Sequence, residues 1–214
     1  MSIEERHERE RQEMRRKILD AARALFVADG FGNVSVRRIA DRIDYSPSAI
    51  YGYFESKDEI FLQLAEEGLQ KLVEFTAPQE TDDPIADLRD GCLRYYEFSK
   101  EHPEYFSLMF LESVLPVIEN RDRFTFLGSL REGSSRLVQR CIDAGLFPKT
   151  TNVEVANSML WATIHGPAVI GLTWPAPLSD HADALAANVI DAALAGLAVG
   201  YGMTELGPAV RARK

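Results

Sequence analysis

Between Ser35 and Lys57 the chain reads SVRRIADRIDYSPSAIYGYFESK, and its residue types suit hydrogen bonding to a DNA duplex rather than covalent chemistry. Two short helices joined by a tight turn are predicted there. Val36, Ile39, Ala40 and Ile43 recur at three and four residues, the spacing of a buried helical stripe, and the small Ala40 admits a crossing helix at close range. Tyr45, Ile50, Tyr53 and Phe54 supply the facing apolar side. Ser46 ahead of Pro47 places an N-capping hydroxyl before a proline at the first helical position, which marks a helix start independently of periodicity. A short helix, a turn and a second helix with small outward side chains fit a helix-turn-helix, whose second helix lies in the major groove.

A second group of residues suits a small-molecule site. Tyr95, Phe98, Phe106, Met109, Phe110, Trp161, His165 and Trp174 are aromatic or polarisable residues on central helical segments, and apolar walls with a few polar groups are what such a pocket needs. The same spacing also suits plain core packing, and His165 equally suits a hydrogen-bonded core histidine. His165 is the one candidate base for an all-α enzyme. No GxSxG, GxxxxGK, GxGxxG or HExxH accompanies it, so no catalytic residue, cofactor or metal site is expected. Cys92 and Cys141 stand apart without CxxC or Cys/His ligand spacing and read as buried thiols, with a redox sensor as the alternative.

The elements that must position these groups are all helical. With 46% hydrophobic and 27% charged residues in 214, the chain has an ordinary globular composition and room for two domains, which we place at 1–60 and 61–214. No apolar run reaches membrane-spanning length, and the charged start MSIEERHERER lacks the apolar centre of a signal peptide, so the cytoplasm is the expected compartment. A net charge of −9 argues against a nucleic-acid partner until it is divided by region: residues 1–60 hold 11 Lys+Arg against 12 Asp+Glu, residues 61–214 hold 13 against 21. The acidity belongs to the second part. Phosphate neutralisation depends on local cations, so a near-neutral first domain remains compatible with double-stranded DNA.

Residues 4–17 alternate acids and bases, a solvated helical lead-in expected to fray, and from Ile18 an amphipathic stripe of Ile18, Ala21, Ala22, Leu25 and Phe26 runs to Asp29-Gly30. Arg15, Arg16 and Lys17 read as a solvated face or as phosphate contacts. Ser56 and Glu59 form a capping box that opens a long fourth helix toward Phe75. TAPQETDDP at 76–84 is the clearest boundary. Beyond it come helices from Asp83-Pro84, from Pro103, over 121–144 with Pro116 before it, from a capping box at Thr151 and Glu154, and from about Ser179 to Val199; WPAP at 174–177 must break the penultimate one. The last helix carries Leu185, Val189, Ile190, Leu194 and Leu197 among many alanines, which suits close helix approach at a subunit interface.

RKILDAARALFVADGFGNVSVRRIADRIDYSPSAIYGYFESKDEIF, from Arg16 to Phe61, resembles the TetR family of transcriptional regulators. The resemblance rests on the ILxAAxxLF first helix, VRxIA, IYxYF and the SKxEL-like Ser56-Lys57-Asp58-Glu59-Ile60, together about a fifth of the chain. WATIHG at 161–166, with the upstream HPEYFSLMF, resembles the C-terminal variant of that family with a Trp, His, Gly signature. The resemblance implies an all-α protein: an N-terminal three-helix helix-turn-helix DNA-binding domain joined by a long helix to a helical ligand-binding and dimerisation domain.

It further implies a repressor that binds a palindromic operator as a homodimer through its last two helices and is released by an unidentified small-molecule effector. Alternatives are a helical protein-interaction module without DNA binding, or the small enzyme using His165. Carried over by position, Ser35, Tyr51 and Lys57 match phosphate contacts, Arg37 a major-groove contact, Pro47, Ser48 and Ala49 the base-facing surface, and Tyr53 a phosphate or base-edge contact. Gly52 stands where the family often has histidine or an aromatic residue, and Asp44 where its turn usually has glycine.

Overall fold

A serine three residues ahead of a glutamate starts the first helix, as sequence chemistry dictates. In the structure, a computed structural model that describes residues 2–77, 80–112 and 125–200, α1 spans Ile3–Asp29. Ser2 Oγ accepts from Glu5 N at 3.1 Å while Glu5 Oε2 accepts from Ser2 N at 2.7 Å, a reciprocal capping box. Arg6–Glu10 and Arg9–Glu13 pairs follow at one-turn spacing. The charged lead-in is thus a capped, continuous part of α1. Gly30 ends the helix at φ 79°, its N–H bonded to Phe26 O at 2.9 Å.

Helix α2 (Val36–Arg42) is capped by Ser35, and α3 (Pro47–Ile50) by Ser46, whose Oγ accepts from Ala49 N at 3.2 Å. Between them Asp44 takes φ 61°, and Tyr45 N donates to Ala40 O at 3.0 Å to close the turn. Ile39, Ala40, Ile43, Ile50 and Phe54 are buried with Ile18, Ala22 and Phe26 of α1. Tyr45, expected on the apolar side, is instead 42% exposed, its ring 5.1 Å beneath the Lys17 ammonium. The left-handed φ of Asp44 costs a non-glycine residue more than glycine. Asp44→Gly is accordingly expected to raise the melting temperature by a few degrees, about 0.5–1 kcal/mol, in a thermal scan. An unchanged or lowered midpoint would show that the turn is unstrained.

Helix α4 (Lys57–Phe75) starts where expected, with Ser56 Oγ accepting from Glu59 N at 3.1 Å. Glu59 reaches one residue further back than a standard box, to Glu55 N at 2.5 Å. Phe61 joins Phe26 and Phe31 in a ring cluster with centroids 4.7–6.1 Å apart, each ring in edge or tilted contact. Helix α5 (Pro84–Glu101) is capped by Asp83; α6 (Pro103–Ser107) runs into a π-helical turn, Leu108–Glu112. Gly68 of α4 lets Met109 approach: a Cβ there would lie 2.8 Å from Met109 Sδ.

Helices α7 (Thr125–Asp143), α8 (Val153–Thr173) and α9 (Ala182–Ala198) complete the described chain. Asn152, not Thr151, caps α8: Asn152 Oδ1 accepts from Glu154 N at 3.0 Å and Val155 N at 3.2 Å, while Thr151 Oγ1 is buried without a hydrogen-bond partner. Helix α8 continues through Pro167 and stops at Thr173, ahead of the WPAP prolines. Pro116 and residues 121–124 of the expected helix lie outside the described residues. On α9, Ala182, Ala186, Ile190, Leu194 and Leu197 are buried toward α8, and Ala184, Ala192, Ala195 and Ala198 are exposed.

The chain forms two compact units: residues up to Gln70 with the described residues from Glu104, and Lys71–Pro103 with the described residues from Thr125. Where composition suggests a division after residue 60, most of α4 and the segment beginning at Glu104 group with the first unit. Glu67 shows why in part, since it pairs with Arg16 of α1 at 3.0 Å and accepts from Tyr105 Oη at 3.3 Å. In the second unit Asp87, 6% exposed, is held by Thr81 and by Arg140 at 2.6 Å.

Candidate functional site

Within the first unit, α2 and α3 present a small set of outward groups. Ser35 Oγ accepts from Arg38 N at 3.3 Å as the N-cap, which leaves its O–H to donate. The Arg37 side chain is 82% exposed and only loosely paired with Asp41 at 3.9 Å. Ser48 is exposed, its Oγ 2.9 Å from Ser46 Oγ, while Pro47 and Ala49 are half-buried beside it. Tyr51 is 56% exposed and Tyr53 half-buried. Arginine with room to reach a guanine edge, a serine at a helix start and short side chains at the front of the next helix are the parts that base and phosphate recognition require.

The cations beneath this surface are engaged within the fold, three of them by main-chain carbonyls. Arg15 donates to Tyr53 O and to Gln63 Oε1, both at 2.5 Å, with its guanidinium 4.2 Å over the Phe54 ring. Lys17 donates to Ile43 O at 3.4 Å. Lys57 donates to Phe31 O at 2.8 Å and lies 4.0 Å over that ring. Arg16 pairs with Glu67 and Asp20. Arg15 is thus turned into the fold, while Arg16 and Lys17 stay on an exposed face with these partners. Lys57 is likewise engaged within the fold. Gly52 closes the end of α3 through Gly52 N to Ala49 O at 3.1 Å, and a Cβ at this position would sit 3.2 Å from that oxygen.

The second unit holds a cavity of about 250 Å³, partly open to solvent. Val73, Leu88, Leu137, Leu160, Trp161 and Ile164 give it an apolar wall, and Thr76, Cys92, Tyr95, Ser134, Arg136 and Asn157 are the polar residues among its lining. Of the residues expected at a ligand site, Tyr95 and Trp161 line it. His165 stands behind them, its Nδ1 2.9 Å from Tyr95 Oη and its ring stacked on Trp161 at 4.7 Å. Phe98 is fully buried against Phe75 and His102, and Trp174 is 57% exposed after α8. Phe106, Met109 and Phe110 belong to the first unit, where Phe106 and Phe110 pair at 4.9 Å.

Residues 18–64 match the family described as bacterial regulatory proteins, tetR family. The chain carries a TetR-family N-terminal domain. Over 58 residues it is 40% identical to the HTH-type transcriptional repressor Rv1474c of Mycobacterium tuberculosis, covering 27% of this chain and 31% of that protein. Over 63 residues it is 35% identical to the HTH-type transcriptional repressor AcnR of Corynebacterium diphtheriae, 29% of this chain and 33% of the relative. The chain thus spans about a third of the length of these curated relatives. Solved structures agree over much more of it: the fatty acid degradation regulator FadR from Bacillus halodurans (TM-score 0.69, 18% identity, 84% of this chain and 94% of that one) and MexZ from Pseudomonas aeruginosa (TM-score 0.68, 22% identity, 90% and 99%). At those identities the likeness is one of fold.

The TetR-family domain accounts for the surface at Ser35–Lys57, and the cavity lies outside the matched residues. Sequence reasoning missed Asn157, Leu160, Ile164, Leu88 and Leu137 there because it weighted aromatic side chains. The available signal was one helical face, Asn157, Leu160, Trp161 and Ile164 at three- and four-residue spacing, with an amide on an otherwise apolar stripe.

Burial lowers the His165 pKa below the ordinary imidazole value, so the folded protein holds this ring neutral at pH 7. The unfolded chain takes up the proton first. The associated stability is complete above about pH 6.5 and is lost as pH falls through that value toward the lowered folded pKa. His165→Gln is expected to flatten this part of the stability–pH curve relative to the native protein, read from melting temperatures across the range. Parallel curves would disprove it. Burial also pushes the Cys92 thiol up to about 12 and the Cys141 thiol up to about 11, keeping both protonated at neutral pH.

Proposed function

We propose that the protein is a transcriptional repressor that binds a palindromic operator as a homodimer and releases it when a small molecule occupies the cavity of the second unit. The observation that carries the reading is the outward set Ser35, Arg37, Ser48 and Tyr51 on two capped helices whose backbone is clamped by Arg15 and Lys17. In this reading Arg37 and residues 47–49 read base edges, Ser35 and Tyr51 hold phosphates, and Tyr53 and Lys57 act mainly by fixing the turn that follows α3. Rv1474c and AcnR are themselves named as repressors, and MexZ is described as a repressor responsible for antibiotic resistance.

A homodimer through α8 and α9 sets two recognition helices about 34–36 Å apart, one turn of B-DNA. A ligand that prefers a conformer with another spacing shifts the population away from DNA. The Trp161, His165 and Gly166 signature is part of this proposal, with Trp161 at the cavity wall and His165 supporting it. Among the described residues no helix is long and apolar enough to cross a membrane.

The test is fluorescence anisotropy at fixed salt with DNA from upstream of the protein's own gene and with random duplex. The operator is expected to bind at least about 10³-fold more tightly. Equal affinities would sink the repressor reading. Arg37→Ala is expected to weaken operator binding by about 1–3 kcal/mol and to leave random-duplex binding nearly unchanged, since an arginine on a base edge carries discrimination. A uniform loss on both duplexes would reassign Arg37 to phosphate.

A further inference from the structure

The chemistry of the cavity wall narrows what can occupy it. Several of its polar side chains have their protons committed elsewhere. Thr76 Oγ1 donates to Leu72 O at 2.7 Å and Ser134 Oγ donates to Arg131 O at 3.0 Å, so both hydroxyl protons are committed to their own helices. Asn157 Nδ2 donates to Ser135 Oγ at 2.7 Å, which fixes the amide and leaves Asn157 Oδ1 buried without a hydrogen-bond partner. A buried acceptor left unpaired is costly, and a ligand that supplies the missing proton gains what the empty protein forfeits. Tyr95 Oη is already engaged by His165.

The charge at the wall is also settled. Arg136 is the charged residue there, and its Nε pairs with Glu80 Oε1 at 3.0 Å on the solvent side, both side chains about half exposed. An anionic ligand would compete with Glu80 for this guanidinium, and any ion would have to shed water against an apolar wall. A volume near 250 Å³ lies at the small end for ligand sites, which suits a compact molecule.

We infer that the cavity takes a compact, uncharged, mainly apolar molecule bearing a hydrogen-bond donor, such as a phenol or small alcohol, with that donor directed to Asn157 Oδ1. This rests on the reading of the cavity as the effector site and adds the ligand class to it.

The probes are 4-propylphenol, 4-propylanisole and 4-propylbenzoate, which share a body and differ in carrying a donor, an acceptor alone or an anion. Each is titrated calorimetrically into the full-length protein, with operator affinity measured on the same preparation. The phenol is expected to bind about tenfold more tightly than the anisole, and the benzoate more weakly than either. In Asn157→Leu the phenol loses its advantage while the anisole binds as before or better. If that variant does not fold, the native series decides alone.

Equal binding of phenol and anisole, tightest binding of the benzoate, or a phenol preference that survives Asn157→Leu would overturn the assignment. So would a protein that binds operator and none of the three probes, with the repressor reading left standing. Donor discrimination in a protein that binds no DNA would overturn the repressor reading and leave the ligand class intact.

Discussion

Ala195→Arg is expected to leave each subunit folded and to strip the protein of operator binding. On α9 the residues facing α8, Ala186, Ile190, Leu194 and Leu197, are buried within the subunit, so the apolar side chains of the last helix serve its own core first. What remains outward includes small alanines at 184, 192, 195 and 198, which permit close helix contact, beside Asn188 and Asp191, the latter paired with Arg89. In the proposed dimer an arginine at 195 places bulk and two like charges across the two-fold axis. It has solvent to itself in the monomer, so the fold is not penalised. Without its partner each recognition helix binds a half-site alone, and the loss of linked binding is worth about 10²–10⁴ in affinity. Light scattering should report monomers and anisotropy a loss of that order. A variant that stays dimeric with native affinity would place the interface elsewhere.

Phe54→Ala is expected to cost about 3–5 kcal/mol, the range for emptying a buried phenylalanine site. Phe54 is 2% exposed, and the ring also carries the Arg15 guanidinium at 4.2 Å, so truncation removes a cation–π contact worth about 1 kcal/mol and loosens the group that holds Tyr53 O. The melting temperature should fall on the order of 10 °C for a chain of this size. Tyr51, three residues earlier and 56% exposed, is the control: Tyr51→Ala should weaken DNA binding at an unchanged midpoint. If both variants lowered the melting temperature equally, Tyr51 would belong to the packing and not to the surface.

Much of the fold was legible because its signals are local. Ser46, Ser56 and Asp83 each announced a helix start, and each is the observed cap or supplies the capping bond. Thr151 misled because Asn152, one residue later, competes for the same amides and its side chain holds two of them. Tyr45 misled because apolar surface at a turn was taken for core, whereas its ring serves the Lys17 ammonium at the surface. The cavity was the least legible part. Its wall joins α4, α5, α7 and α8, and helical spacing within one segment does not reveal which face of another it meets. Arg15, Lys17 and Lys57 illustrate the same limit, since their acceptors are main-chain carbonyls 26 to 38 residues away.

Those carbonyl acceptors bear on how such a protein changes its target in evolution. Tyr53 O, Ile43 O and Phe31 O are present whatever side chains stand at those positions, so the grip of Arg15, Lys17 and Lys57 does not depend on which letters face outward. On the proposed reading, positions 48, 49 and 51 can therefore drift toward a new operator while the platform that presents them keeps its hold. The lineage can rewrite its address without rebuilding the hand that reads it.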